Sequence, residues 1–217
     1  QEIKMKKMIF ITILSLSAAI VSAQSSAQSK SILDKAYGTY ESSKGIKAEF
    51  TFAAMENNTP QMQQKGTAVF KGNKFRIETA SLNTWFDGKT QWVLIKDFDE
   101  VNISEPTLEE VASVSPLALL SMYKTGYKLG EPAEKTVNGK NAYLIELTPT
   151  NNRSEFKDIT VAVDKAANNI LQVKLTFKNG VKNVIDINNY STNFNFTDTD
   201  FIFNKSKYPD VEIVDLR

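Results

Sequence analysis

Apolar residues recur along this chain with two different periods, and the change from one to the other divides it. Between Ala27 and Lys44, Ile32, Leu33, Ala36, Tyr37 and Tyr40 fall on one helical face. Lys30, Asp34, Lys35 and Glu41 lie between them, so the spacing predicts one amphipathic helix. Gly45 is expected to close it, in the position where a left-handed residue ends many helices. Beyond that point the period falls to two. Ala48, Phe50, Phe52 and Ala54 alternate with polar neighbours, as do Phe75 and Ile77, then Val101 and Ile103. The pattern returns at Tyr143, Ile145 and Leu147, at Ile159, Val161 and Val163, and at Leu171, Val173, Leu175 and Phe177. Each run predicts a strand with one apolar and one solvated face.

The punctuation between these runs is that of tight hairpins. Asp87-Gly88, Asn138-Gly139, Asn168-Asn169 and Asn179-Gly180 supply residues that tolerate the positive φ of two-residue turns, so consecutive strands are expected to pair antiparallel in a meander. A sheet of about ten strands with one apolar face must curl around whatever covers it. Two covers are available: the first helix, and the stretch from Pro106 to Tyr123. In the latter, Leu108, Val111, Leu117, Leu119, Leu120 and Met122 predict one or two short helices interrupted by Pro116. The expected fold is mainly β: one curved antiparallel sheet forming an unclosed half-barrel, covered by an N-terminal helix and a short helical lid. Pro132 to Lys135 and Thr148 to Ser154 are expected to be surface loops.

The first residues carry a different signal. Lys6 and Lys7 precede an uncharged run from Met8 to Val21 that ends in Val21-Ser22-Ala23. This predicts a secretory signal peptide over residues 1–23, cleaved after Ala23, with residues 1–4 as an upstream extension before Met5 and residues 24–217 as one domain. The run is too short for a membrane span. Losing Lys4, Lys6, Lys7 and Glu2 leaves the remainder close to neutral, which argues against nucleic acid as a partner.

Cysteine and histidine are both absent. No disulfide staples the fold, no lipid can be attached at a cysteine, and the commonest general base and metal ligand is missing. A freely diffusing monomer in an exported compartment is expected. Asp97, Asp99 and Glu100 lack the ligand spacing of a calcium loop and read as a hairpin turn. Asp198 and Asp200, the nearest approach to a hydrolytic carboxylate pair, also read as a turn. No phosphate-binding glycine loop, nucleophile elbow or zinc helix is present, so neither catalysis nor a cofactor is expected. Large apolar side chains are abundant instead, with thirteen Phe, seven Tyr and two Trp. A chain of about fifteen methylenes exposes on the order of 12 kcal/mol of unfavourable surface, at about 0.8 kcal/mol each, and sheltering it takes a cavity.

Three stretches resemble a known family. Lys74-Phe75-Arg76-Ile77, Trp85-Phe86-Asp87-Gly88-Lys89-Thr90-Gln91-Trp92 and Asp97-Phe98-Asp99-Glu100-Val101 are similar to the central hairpin block of the LolA family of periplasmic lipoprotein carriers. Phe201-Ile202-Phe203-Asn204, followed by Pro209 to Asp215, is similar to that family's closing strand and tail. The resemblance implies a periplasmic carrier without enzyme activity or cofactor. Its cavity would take the acyl chains of lipoproteins, loaded by an inner-membrane ABC transporter and passed to an outer-membrane acceptor. Candidate acyl-chain contacts are Phe50, Phe52, Phe75, Ile77, Trp85, Trp92, Leu94, Leu117, Leu120 and Met122. One departure stands out. Family members often carry an Arg-Pro pair whose Arg latches the lid, whereas this chain reads Val69-Phe70-Lys71-Gly72-Asn73-Lys74. The latch is not carried over, and Lys71, Lys74 and Arg76 are expected at the surface, with substitution for the latch by one of them as the alternative. Two other readings remain: a lipid- or lipoprotein-sensing regulatory domain of the related fold, and an exported hydrolase with an unrecognised carboxylate site.

Overall fold

The computed structural model describes residues 26–56 and 59–217, together with the backbone but not the side chains of residues 116 and 117. The expected signal peptide and its cleavage site lie outside the described residues. Helix α1 runs over residues 26–41 and buries Ile32, Leu33, Ala36 and Tyr40, the face its periodicity marks. At about 1.5–3 kcal/mol per large apolar side chain buried, that face rather than helix propensity holds it in place. Gly45 does not cap it, since its φ is not positive. The glycine is required for another reason. A Cβ there would stand 2.5 Å from the Phe194 carbonyl oxygen and 2.7 Å from the Phe196 ring, so the chain's C-terminal third crosses at that point.

Among the described residues thirteen strands follow, in one sheet. Strands β1 (Ile46–Glu56), β2 (Thr59–Lys71), β3 (Lys74–Thr79), β4 (Leu82–Phe86), β5 (Gln91–Ile95) and β6 (Glu100–Ser104) form an antiparallel meander. Helices α2 (Leu108–Val114) and α3 (Pro116–Met122) come next. Strands β7 (Tyr127–Leu129), β8 (Ala133–Val137), β9 (Lys140–Pro149), β10 (Phe156–Asp164), β11 (Ile170–Phe177) and β12 (Lys182–Thr192) form a second meander. The two are joined where β1 pairs antiparallel with β12. The outer strands of the two meanders, β6 on one side and β7 and β8 on the other, do not pair with each other, so the sheet curls without closing. Asn138 and Gly139 both take positive φ, 50° and 75°, in the turn between β8 and β9.

The differences from expectation have physical reasons. Pro132 to Lys135 is not simply a loop, because residues from Ala133 onward belong to β8, an exposed edge strand with no apolar alternation to reveal it. Phe201 to Asn204 is not a strand: Phe201 ends a 3-10 turn spanning Asp198–Phe201. The closing strand is β13 (Glu212–Asp215), which pairs parallel with β6. Pro116 does not interrupt a helix but begins one, at the position where a missing N–H costs nothing, while Ser115 accepts a hydrogen bond from the Ala118 amide. Helix α2 is started by a capping box in which Thr107 and Glu110 satisfy each other's backbone amides. No helix among the described residues is long and apolar enough to cross a membrane.

Candidate functional site

The concave face of the sheet is filled unevenly. Over β9–β11 it is packed solid, with Ile145, Leu147, Ile159, Val161, Val173 and Leu175 inaccessible to solvent or nearly so. Toward β1–β4 the cover thins to α2, a helix of seven residues, and a hollow of about 430 Å³ remains. Its floor and walls are Ala48, Phe50, Phe52, Ala68, Phe70, Ile77, Ile185 and Ile187, with few polar groups among them. Its rim includes three apolar residues left open to water: Met62 at 45% exposure, Val114 at 40% and Leu82 at 37%. Isolated exposed apolar residues are ordinary, but here three of them rim one apolar hollow. The volume lies within the roughly 300–1,000 Å³ typical of small-molecule sites.

Local sequence explains the shape. Gly66 on β2 lies opposite Phe50 on β1, and a Cβ there would come within 2.5 Å of the Phe50 ring and 2.6 Å of the Glu78 carbonyl oxygen. The missing side chain therefore lets the Phe50 ring lie flat against the sheet and leaves the hollow open. On β4 the lining residues are Leu82 and Thr84, the latter contributing little bulk.

The ten expected contacts separate into groups. Phe50, Phe52 and Ile77 line the hollow. Phe75 shares their face but is buried in the main core, its ring 5.1 Å from that of Phe86 and 6.4 Å from that of Phe70. Leu120 is likewise buried, and Met122 packs against the same core. The Leu117 side chain lies outside the described residues. Trp85, Trp92 and Leu94 do not belong with the others. Register decides this, because Ile77 pairs with Thr84 while Trp85 pairs with Arg76 and Trp92, placing the tryptophans on the convex face. There they form a second core with Leu94, Val101 and Val211, covered by Phe203 and Tyr208. Sequence reasoning missed Met62, Leu82, Val114, Ile185 and Ile187. The last two sit on β12 between asparagines and charged residues, so their short alternation is masked.

The basic residues opposite the family's latch position hold something else. Lys71 donates to the Phe196 carbonyl at 2.9 Å, and Lys71 and Lys74 both pair with Asp198, at 3.5 and 3.0 Å. Arg76 pairs with Glu78 at 2.9 Å. The Lys71 and Lys74 contacts bind the C-terminal segment to the sheet and the Arg76 pair stays within β3, so none of them reaches the helices. Three other contacts secure the helical cover. The Tyr123 hydroxyl after α3 donates to Asp34 on α1, the Ser154 hydroxyl donates to Glu109 on α2, and the Ser29 hydroxyl donates to the Gly130 carbonyl at 2.6 Å. Hydrogen bonds from Lys30 and then Tyr123 hold the Asp34 carboxyl below its ordinary range. Burial first, and the Asp34 contact second, push the Tyr123 hydroxyl upward. Asp34 and Tyr123 are thus engaged in structural contacts, and among the described residues no group of His, Cys, Asp or Glu clusters to hold a metal ion.

Comparison with known proteins agrees with this geometry. Residues 16–179 match the sequence-family model of outer membrane lipoprotein carrier protein LolA. No curated protein matches the chain. An uncharacterized conserved protein from Thermus thermophilus superposes with a TM-score of 0.58 at 14% identity, covering 87% of this chain and 99% of that one. A putative outer membrane lipoprotein-sorting protein domain from Vibrio parahaemolyticus gives a TM-score of 0.49 at 12% identity, over 84% and 99% of the two chains. The MucA/MucB complex of Pseudomonas aeruginosa gives 0.43 at 15%, with 82% of this chain and 61% of that one covered.

Proposed function

Since this chain belongs to the family of outer membrane lipoprotein carrier protein LolA, we propose that it binds the acyl chains of lipoproteins in the apolar hollow and carries them through the periplasm from inner to outer membrane. The observation that supports this most is the hollow itself: an apolar space of about 430 Å³ whose rim exposes Met62, Leu82 and Val114. Leaving such residues in water is unfavourable, and an alkyl chain entering the hollow would cover them while losing its own exposure. Residues 24–217 act as one carrier unit without catalysis or a cofactor. The chain is loaded by an inner-membrane ABC transporter and unloads to an outer-membrane acceptor.

A photo-crosslinking residue at Phe52 or Met62 tests this in cells. It should capture lipoproteins, whereas the same residue at exposed Lys157 on β10 should not. Equal capture at the two sites, or none at either, would sink the carrier reading. Filling the hollow by Thr84→Trp should abolish capture while leaving the protein folded, because Thr84 lines open space rather than packed core.

A further inference from the structure

A second hollow, of about 490 Å³, is lined by the other side of α2. Leu108, Val111 and Ser115 recur at helical spacing and line it, whereas Ser113 and Val114, on the opposite side of the helix, line the first. Among the described residues Phe70 is the one wall the two share.

The buried part of its lining is Tyr40, Phe70, Phe86, Val111 and Ser115, and the Ser115 hydroxyl is already taken by the Ala118 amide. Charge is confined to the edge. Glu41, Lys89 and Glu105 are exposed, with Lys89 paired to Glu105 at 3.1 Å, and Lys74 is turned to Asp198 at 3.0 Å. Leu108 stands at this edge with 72% exposure, as Met62, Leu82 and Val114 stand at the edge of the first hollow. An apolar interior with an exposed leucine beside it suits an alkyl chain. Volume decides how many chains. A methylene fills about the space of one water in the liquid, roughly 30 Å³, so hollows of about 430 and 490 Å³ hold on the order of fourteen and sixteen of them. Each takes one long chain and has no room for a second.

We propose that the second hollow receives a second alkyl chain of the cargo whose first chain occupies the first hollow, with α2 and Phe70 keeping the two apart. This rests on the acyl-binding reading above and adds to it the number of chains the protein selects. A lipid-modified protein with a single chain fills only half of the site.

Calorimetric titration of the purified full chain with two synthetic peptides provides the test, each bearing an S-glyceryl cysteine esterified with one or with two palmitoyl chains. The two-chain peptide should bind at least about a hundredfold tighter, the worth of only a few buried methylenes. Ala118→Trp, and separately Ser121→Trp from an exposed position, place a ring in the second hollow. Each should shrink that ratio to about tenfold or less while the one-chain peptide binds as before. An unchanged ratio in both variants, whether the two affinities fall together or not at all, overturns the second subsite and leaves alkyl binding standing. The wild-type protein gives a check that needs no variant. A photoreactive diazirine at the end of each chain of the two-chain peptide should label the Tyr37 or Leu108 region as well as the Phe52 or Met62 region, and label confined to the latter overturns the proposal. If neither peptide binds, the acyl-binding reading fails and this proposal with it.

Discussion

The two halves of the concave face are built from the same alternating strands yet do opposite things. On β9–β11 that face is sealed, and Phe156, Ile159, Ile170 and Leu175 have almost no contact with water. Beneath α2, β1–β4 and β12 keep Phe52, Ile77 and Ile187 only partly covered around open space. The difference lies in the cover, not the sheet. α1 spans sixteen residues and presents a continuous apolar stripe, whereas α2 spans seven and contributes only Val111 and Ala112 to the buried layer. A short helix cannot fill the concavity of a curved sheet, so stability concentrates on one side and binding capacity on the other.

The largest expected effect sets one substitution against another. Leu175→Ala, in the sealed half, should cost about 2–5 kcal/mol, whereas Phe52→Ala, on the hollow's wall, should cost about 1 kcal/mol and impair ligand binding instead. Urea titration of both variants checks this, and equal losses would dissolve the distinction between the halves. Next comes Gly66→Ala, whose Cβ meets the Glu78 backbone as well as the Phe50 ring. Because a backbone carbonyl in a sheet ladder cannot give way, the expected cost is about 1–3 kcal/mol, with reduced binding as the ring is driven into the hollow. Ser154→Ala removes the tie to Glu109 and the acceptor of the Phe156 amide and should cost about 1–2 kcal/mol, seen as faster amide exchange across Leu108–Val114 and at Phe156, with the rest of β9–β11 unaffected.

The smallest effect concerns tyrosines beside α1. Tyr40 and Tyr190 meet edge to face at 5.5 Å, and burial pushes the Tyr190 hydroxyl up to about 12 and that of Tyr40 upward as well. Groups whose folded-state values are raised contribute stability that is complete below the ordinary tyrosine range, about 10, and is lost as the pH climbs through the raised value. Stability should therefore fall between about pH 10 and 12. Tyr190→Phe should blunt that fall. Its hydroxyl is buried and has no hydrogen-bond partner among the described residues, so the same change at neutral pH should leave stability level or raise it by about 1 kcal/mol.

Much of the architecture is legible without coordinates. The face of α1, the strands bearing Phe50, Phe75, Ile145, Ile159 and Val173, and the hairpin turns at Asn138-Gly139 and Asn179-Gly180 all follow from periodicity and turn chemistry. The polar edge strand β8, the asparagine-rich β12 and the parallel β13 do not, because edge strands and strands flanked by polar side chains lose the alternation that identifies them.

The site was legible only in part, for a related reason. Alternation shows that Ile77 and Trp85 each face one side of their strand, but not that those sides are opposite. That depends on Ile77 pairing with Thr84 across the β3–β4 hairpin, which only the folded register decides. The sequence by itself determined a chain without cysteine or histidine, a helix, a meander and an excess of large apolar side chains. Tertiary structure alone decided which of those side chains close a core, which lie beneath the C-terminal tail, and which are left facing a hollow. Local patterns record the preference of each residue for water or its absence, whereas a cavity is space that no residue fills. It arises only when elements of unequal length are packed against one curved sheet.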